Sequence, residues 1–304
     1  MADQYPAIIA AIKWLAGRGV NVSPYLDRMF EIVGERSPLN DVFNHDYKQR
    51  GVKFRVNFLP DYGHRQPVKA RDGREPGYAQ KLKVERWLQD IFSRRLQAQL
   101  DALRNEYKIR KPKKLPVLPN DDDFIEEIIT ALITGASEGI NLFAESIMIG
   151  FNTTAANEYA AKWAREYAFD LIKGVDETSL EVVRRAIESF VDEVGYTIGD
   201  IIDLVQPYFG DVRASMIAVT ETTRTFARGQ FMAAEELRKE FPDVQITKTW
   251  FTNNDEQVCD ICGPLGDHDP IPMDEPFVTI DGEEIMEPPA HVNCRCWIEY
   301  NTRL

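Results

Sequence analysis

Cysteine is missing from the first 258 residues of this chain. Its four cysteines, Cys259, Cys262, Cys294 and Cys296, fall in the closing stretch as C-x-x-C in "CDIC" and C-x-C in "CRC". Scattered core thiols would not group in this way, which leaves a disulfide framework or a metal site. Frameworks serve small secreted domains that lack a core, and 304 residues are enough to build one. The opening "MADQYPAIIAAIKWLAG" has no basic stretch ahead of its apolar run and no clear cleavage site, so a secretory leader is not expected. Nor is a membrane span, because that run is short and interrupted. The cysteines are therefore expected to meet a reducing cytosol, which favours metal.

Other absences narrow the chemistry. The sequence has no P-loop, no H-E-x-x-H and no dinucleotide fingerprint. It shows no repeat period and no low-complexity tract. "GASEG", Gly135 to Gly139, has the spacing of a nucleophile elbow, but an elbow follows a buried strand. The preceding "FIEEIITALIT" reads as a helix, and Ser137 has no convincing histidine partner.

What is present points to zinc. A C-x-x-C turn lets two thiolates converge on one ion. In "HVNCRCW" a short strand would place Cys294 and Cys296 on one face, since side chains alternate, and His291 could swing in from the turn before them. Zinc takes four ligands in a tetrahedron. Five candidates are available: Cys259, Cys262, His291, Cys294 and Cys296. The expected set is both early cysteines plus two of the later three. Four such ligands leave no open position, so the ion would be structural. His268, in the polar loop "GDHDP", is expected to be solvated. A nuclease of the histidine–metal finger type is the alternative reading. The Asp267–His268 pair follows the first cysteines too closely for it, and a closed shell opposes metal catalysis.

Charge divides the chain. The net charge is −13, yet residues 1–115 carry 23 Lys+Arg against 13 Asp+Glu, and residues 116–304 carry 13 against 36. Such asymmetry implies different neighbours for the two halves. The sharpest basic run, "KIRKPKKLP", holds Lys108, Arg110, Lys111, Lys113 and Lys114. Its prolines make it an arm or linker, able to meet DNA phosphates or simply water. The acidic half would repel phosphate, so a protein partner is expected there.

Periodicity predicts a mostly α protein ending in an α+β module. Short helices are expected at 6–16 and 24–34, a half-buried strand at 52–60, a long loop at 61–77 and a long helix from Tyr78 to Tyr107. "KPKKLPVLPN" then breaks the chain. Helical patterns follow at 121–150, 154–173, 178–195, 197–208 and 211–240. In the third of these Thr178 or Ser179 is the expected N-cap, Glu181 its support, and Leu180, Val183, Ile187 and Val191 the apolar stripe. Strands are expected at "VQITKTWF" and "CRCWIEY". Within the last long helix Glu221 and Arg224 can pair on one face or reach towards the cysteines; from spacing alone they read as a surface pair.

Taken in order, these features resemble the phage Mu F-like minor head protein family, also called the head morphogenesis domain. The similarity runs over roughly residues 155–300 in four blocks. "DLIKGVDETSLEVVRRAIESFVDEVGYTIGDIIDLVQPYF" is similar to the family's paired helices. "RASMIAVTETTRTFARGQFMAAEE" resembles its arginine-to-glycine helix, through Arg213, Thr220, Glu221, Arg224 and Gly229. "KTWFTNNDEQVCDIC" supplies Lys248, Trp250, Asp255, Cys259 and Cys262. "PPAHVNCRCWI" supplies the closing histidine and C-x-C, with Val292 where the family usually has proline. The resemblance implies a few-copy virion component near the portal or capsid interior, acting in head assembly, with links to DNA packaging or delivery. It divides the chain into a basic region, 1–115, a helical part of the family domain, 116–240, and a Cys/His zinc module, 241–304. Partners implied are portal or major capsid protein, and DNA through the basic region.

Overall fold

The computed structural model describes residues 75–107, 118–119, 122–147, 149–191, 198–253, 255 and 258–303. The helices expected at 6–16 and 24–34, the strand at 52–60, most of the loop at 61–77 and the basic run at 108–116 lie outside them. Among the described residues five helices come first: α1 (Tyr78–Tyr107), α2 (Asp122–Ser146), α3 (Thr153–Val191), α4 (Ile198–Val205) and α5 (Asp211–Glu240), with a 3-10 turn, Gln206–Phe209, before α5. The bounds of α1 and α5 are those the periodicity predicts. Leu88, Phe92, Leu96 and Leu103 of α1 are all buried, as that pattern requires. Helix α5 carries Asp211 in its first turn and Arg238 and Lys239 in its last, which complement its dipole.

Helix α5 is the central element and packs against α1, α2 and α3. Its crossing with α2 is unusually close because glycines face backbone. A Cβ on Gly139 would sit 2.3 Å from the Phe226 carbonyl oxygen, and one on Gly229 would sit 2.0 Å from that of Ala136. "GASEG" is thus a helix-crossing surface. Ser137 lies on α2 and its hydroxyl is hydrogen-bonded to Asn157 Oδ1 at 2.6 Å. Against this pair α3 lays a stripe of small residues, with Ala156, Ala160, Ala164 and Ala168 fully buried.

Helix α3 corrects the sequence reading. The patterns expected at 154–173 and from 178 run, as far as Val191, in one unbroken helix of 39 residues, and residues 192–195 lie outside the described ones. The expected caps turn inward instead. Thr178 Oγ1 donates to the Gly174 carbonyl at 2.8 Å, and Ser179 Oγ reaches the Val175 carbonyl at 2.9 Å. Each hydroxyl bonds its own helix four residues back, a competing use of a capping side chain. Glu181 supports no cap either and pairs with Arg184 and Arg185. The buried stripe passes through Val175, Ser179, Val182, Val183 and Ala186, so Leu180 and Ile187 flank it. Ser179 also joins a network to α1: its Oγ lies 2.8 Å from Gln99 Oε1, Gln99 donates to Asp176 at 2.7 Å, and Arg95 pairs with Asp176 at 2.8 Å.

The C-terminal module contains β1 (Gln245–Phe251), a single-turn helix α6 (Cys262–Gly266), β2 (Ile271–Pro272), β3 (Phe277–Val278), β4 (Glu284–Ile285) and β5 (Trp297–Arg303). Strand β1 lies between β2 and β5, antiparallel to both, with Gln245 opposite Arg303 and Phe251 opposite Trp297. Alternation buries Ile246, Lys248 and Trp250 on one face of β1. Strands β3 and β4 form a hairpin whose turn needs the positive φ of Gly282, +84°. One apolar cluster joins Phe143, Ala156 and Leu237 of the helices to Trp250, Ile298, Cys262 and Cys294. Cys296 belongs to the same cluster, so three of the four cysteines sit in the core shared by helices and sheet.

Candidate metal centre

Two segments of the module face each other. The first runs from β1 into α6. Its turn is closed by Gly263 N–H donating to the Cys259 carbonyl at 2.9 Å, and by Cys262 N–H pointing at Cys259 Sγ at 3.4 Å. The second is the strap before β5. Here Asn293 adopts a positive φ of 65°, and Cys294 N–H donates to the His291 carbonyl at 3.3 Å. Strand β5 begins at Trp297, so the expected strand start at Cys294 is corrected: both late cysteines precede the ladder. The Cys294 carbonyl is taken by the Thr223 hydroxyl at 2.8 Å instead of by a neighbouring strand.

The five sequence candidates converge. Their donor atoms form two triads, Cys259–Cys262–His291 and Cys262–Cys294–Cys296, each with its atoms within 4.8 Å of one another. Cys262 belongs to both. His291 Nε2 stands 3.1 Å from Cys259 Sγ and 3.1 Å from Cys262 Sγ. Cys262 and Cys294 Sγ are 3.8 Å apart, and no disulfide joins any pair. Two thiolates on one tetrahedral zinc, with bonds of about 2.3 Å, stand about 3.8 Å apart. His291 Nδ1 lies 2.7 Å from the Val292 carbonyl. An Nδ1–H donated there leaves the Nε2 lone pair facing the sulfurs, the orientation a metal-bound imidazole takes. The cluster can thus hold a metal ion.

Its electrostatics suit a cation. Hydrogen bonding from Cys262 brings the Cys259 thiol down to about 3; burial opposes this and His291 assists. Cys294 is likewise drawn well below the ordinary thiol value, by Cys262 first and then Cys296. Burial pushes the His291 imidazole down, but the Cys259 hydrogen bond and the Cys294 charge outweigh it and leave it at about 9, so the Nε2 lone pair is freed for a metal only when the ion displaces the proton held there against the sulfurs. Cys262 is pushed above the ordinary thiol value by Cys259 and Cys294, and Cys296, which Cys262 draws down, is pushed above it by Cys294 and burial, so thiolate character falls on Cys259 and Cys294 and a soft ion would displace the protons of the other two. His268 stands outside both triads, exposed, with Nδ1 3.0 Å from the Asp269 carbonyl.

Residues 181–299, from α3 into β5, match the family described as Phage Mu protein F like protein. The chain carries a phage Mu F-like domain. No curated protein and no solved structure matches the chain. The matched span starts later than the similarity read from the sequence, and it contains the whole cysteine cluster. The match over residues 181–299 supports a phage head morphogenesis protein. Among the described residues no helix is long and apolar enough to cross a membrane.

Inside the Mu F-like domain the motif residues have separate tasks. Arg213 is buried and donates to the Val175 carbonyl at 2.9 Å, the Tyr208 carbonyl at 3.1 Å and Ser179 Oγ at 2.9 Å, joining α5 to α3 and the 3-10 turn. Glu221 and Arg224 are not the surface pair that spacing suggests. Glu221 is 4 % exposed and accepts from Tyr167 Oη at 2.8 Å and Arg224 Nε at 3.2 Å. Burial raises its carboxyl above the usual value, with Arg224 and Tyr167 opposing. Lys248, fully buried, donates to the Met286 carbonyl at 2.7 Å, and desolvation lowers it to about 8. Trp250 packs edge-on against Phe277. Asp255 pairs with Arg295 at 2.9 Å, tying the loop before Cys259 to the residue between Cys294 and Cys296. Sequence reasoning missed Tyr167, Thr223, Arg228, Glu287 and Arg295. One signal was available for Thr223: "TETTRT" puts four poor helix formers inside a helix, which asks for a tertiary reason.

Proposed function

We propose that this protein is a minor head protein of a tailed bacteriophage, at the portal vertex or in the capsid interior, whose C-terminal module is braced by one structural zinc ion. The observation that carries the metal assignment is the convergence of four cysteines and His291 from two segments about thirty residues apart. Four of these five donors complete a tetrahedron, with Cys259 and Cys262 in the set and Cys262 common to both triads. Zinc supplies binding energy that becomes folding energy for a module with few and short strands. A shell of four protein ligands leaves no position for substrate, so the ion braces and does not catalyse.

The head assignment rests on the family match and extends to assembly partners: portal protein or major capsid protein, with a role in DNA packaging or ejection. The basic region, through Lys108, Arg110, Lys111, Lys113 and Lys114, is the proposed contact for portal or for packaged DNA. Co-expression with the portal protein tests this. Retention of the chain on tagged portal after a high-salt wash is the expected result. Loss of all portal and capsid association, together with metal-dependent cutting of DNA, would replace it with the nuclease reading. Tight DNA binding that falls steeply with salt, without portal binding, would favour a nucleic-acid module.

A further inference from the structure

Resting on the zinc assignment above, we propose that Thr220 and Thr223 of α5 are positioning residues for the metal. They set the turn from His291 to Cys294 before the ion arrives, so the late half of the site is preformed and the early half closes onto it. Thr220 Oγ1 accepts the Asn293 N–H at 2.8 Å while donating to the Met216 carbonyl at 2.6 Å. One hydroxyl thereby meets both its roles, and the amide it satisfies belongs to the residue with positive φ. Thr223 Oγ1, one helical turn on, donates to the Cys294 carbonyl at 2.8 Å. Both threonines are buried. The same strap is pinned upstream, where Lys248 holds the Met286 carbonyl and Arg228 pairs with Glu287 at 2.9 Å.

The two halves of the site differ in this respect. The strap bearing His291 and Cys294 is held from the helical core. The turn bearing Cys259 and Cys262 is closed by bonds within itself, and its loop is tied back to Arg295 through Asp255. The hydroxyls never touch the ion. They fix the backbone that carries two of its ligands, as outer-shell groups do in metal sites, where their loss typically weakens binding by about 10- to 100-fold.

The test uses the full chain, zinc alone as the probe, and competition against a chromophoric chelator at fixed pH. Thr223→Val, which keeps the shape and removes the hydroxyl, should weaken zinc binding by about 10- to 100-fold, and Thr223→Ser should restore it. Thr220→Val should weaken it similarly. If these variants bind zinc as tightly as the parent chain and only melt earlier, the threonines are structural and the proposal fails. A parent chain that binds no zinc overturns the underlying metal assignment as well. A second measurement needs no variant, so a misfolded mutant leaves the question answerable. In the zinc-free parent chain, hydrogen exchange should find the Asn293 amide protected and the amides of 258–263 open. An unprotected Asn293 amide without metal contradicts preformation.

Discussion

At the residue scale the proposed zinc site draws its ligands from Cys259, Cys262, His291, Cys294 and Cys296. Cys259→Ser and Cys294→Ser are each expected to abolish stoichiometric zinc and to lower the melting temperature, measured by metal analysis and thermal denaturation. A variant keeping both its metal and its melting point would show that the replaced sulfur is not a ligand. Glu287 offers a separate prediction, on pH. Burial pushes its carboxyl up to about 7, against Arg228 and Lys248. A carboxyl raised on folding favours the fold when protonated, so its contribution is present below about 4.5 and is lost as pH rises through about 7. Glu287→Gln should therefore melt with the parent chain near pH 5 and above it at pH 8, by roughly 1–3 kcal/mol. Equal stabilities at both pH values would mean that Arg228 fully compensates the buried charge.

At the element scale the helices were legible in the sequence where one period decided the matter. The limits of α1 and α5 follow from apolar spacing and from the breakers "KPKKLP" and Pro242. The limits of α3 do not, because Thr178 and Ser179 can cap or back-bond, and only the neighbours Gln99 and Arg213 settle the choice for Ser179. The donor set was legible as residue types and spacing. Its geometry was not, since the strap turns at Asn293 and its backbone is held by hydroxyls from α5, a contact 71 residues distant for Thr223. Two glycines allow a matched test of helix packing. Gly174, exposed in α3, has nothing within 4 Å of an added Cβ, so Gly174→Ala should stabilise by about 0.5–1 kcal/mol. Gly229→Ala drives a methyl into the Ala136 carbonyl and should destabilise by about 1–3 kcal/mol or more. Chemical denaturation of the two variants decides it; similar effects would mean that α2 and α5 can separate freely.

At the scale of the whole molecule, the described helices and the sheet share one core, and that core reaches three of the four cysteines. Removing metal with a chelator should therefore loosen the turn at 258–263, while α1, α2, α3 and α5 keep their helical signal and the strap at Asn293 stays closed. Far-ultraviolet circular dichroism alongside limited proteolysis would separate the two regions, and loss of all helicity on chelation would show that the ion holds more than its module. The central claim is that one ion, bound only by protein, joins the two halves of the cluster. Zinc X-ray absorption on the purified full chain, with metal stoichiometry, tests it most directly. One zinc per chain, four-coordinate, with sulfur at about 2.3 Å and no oxygen ligand is the expected result. A chain without stoichiometric metal, or an ion carrying bound water in an open position, would contradict it.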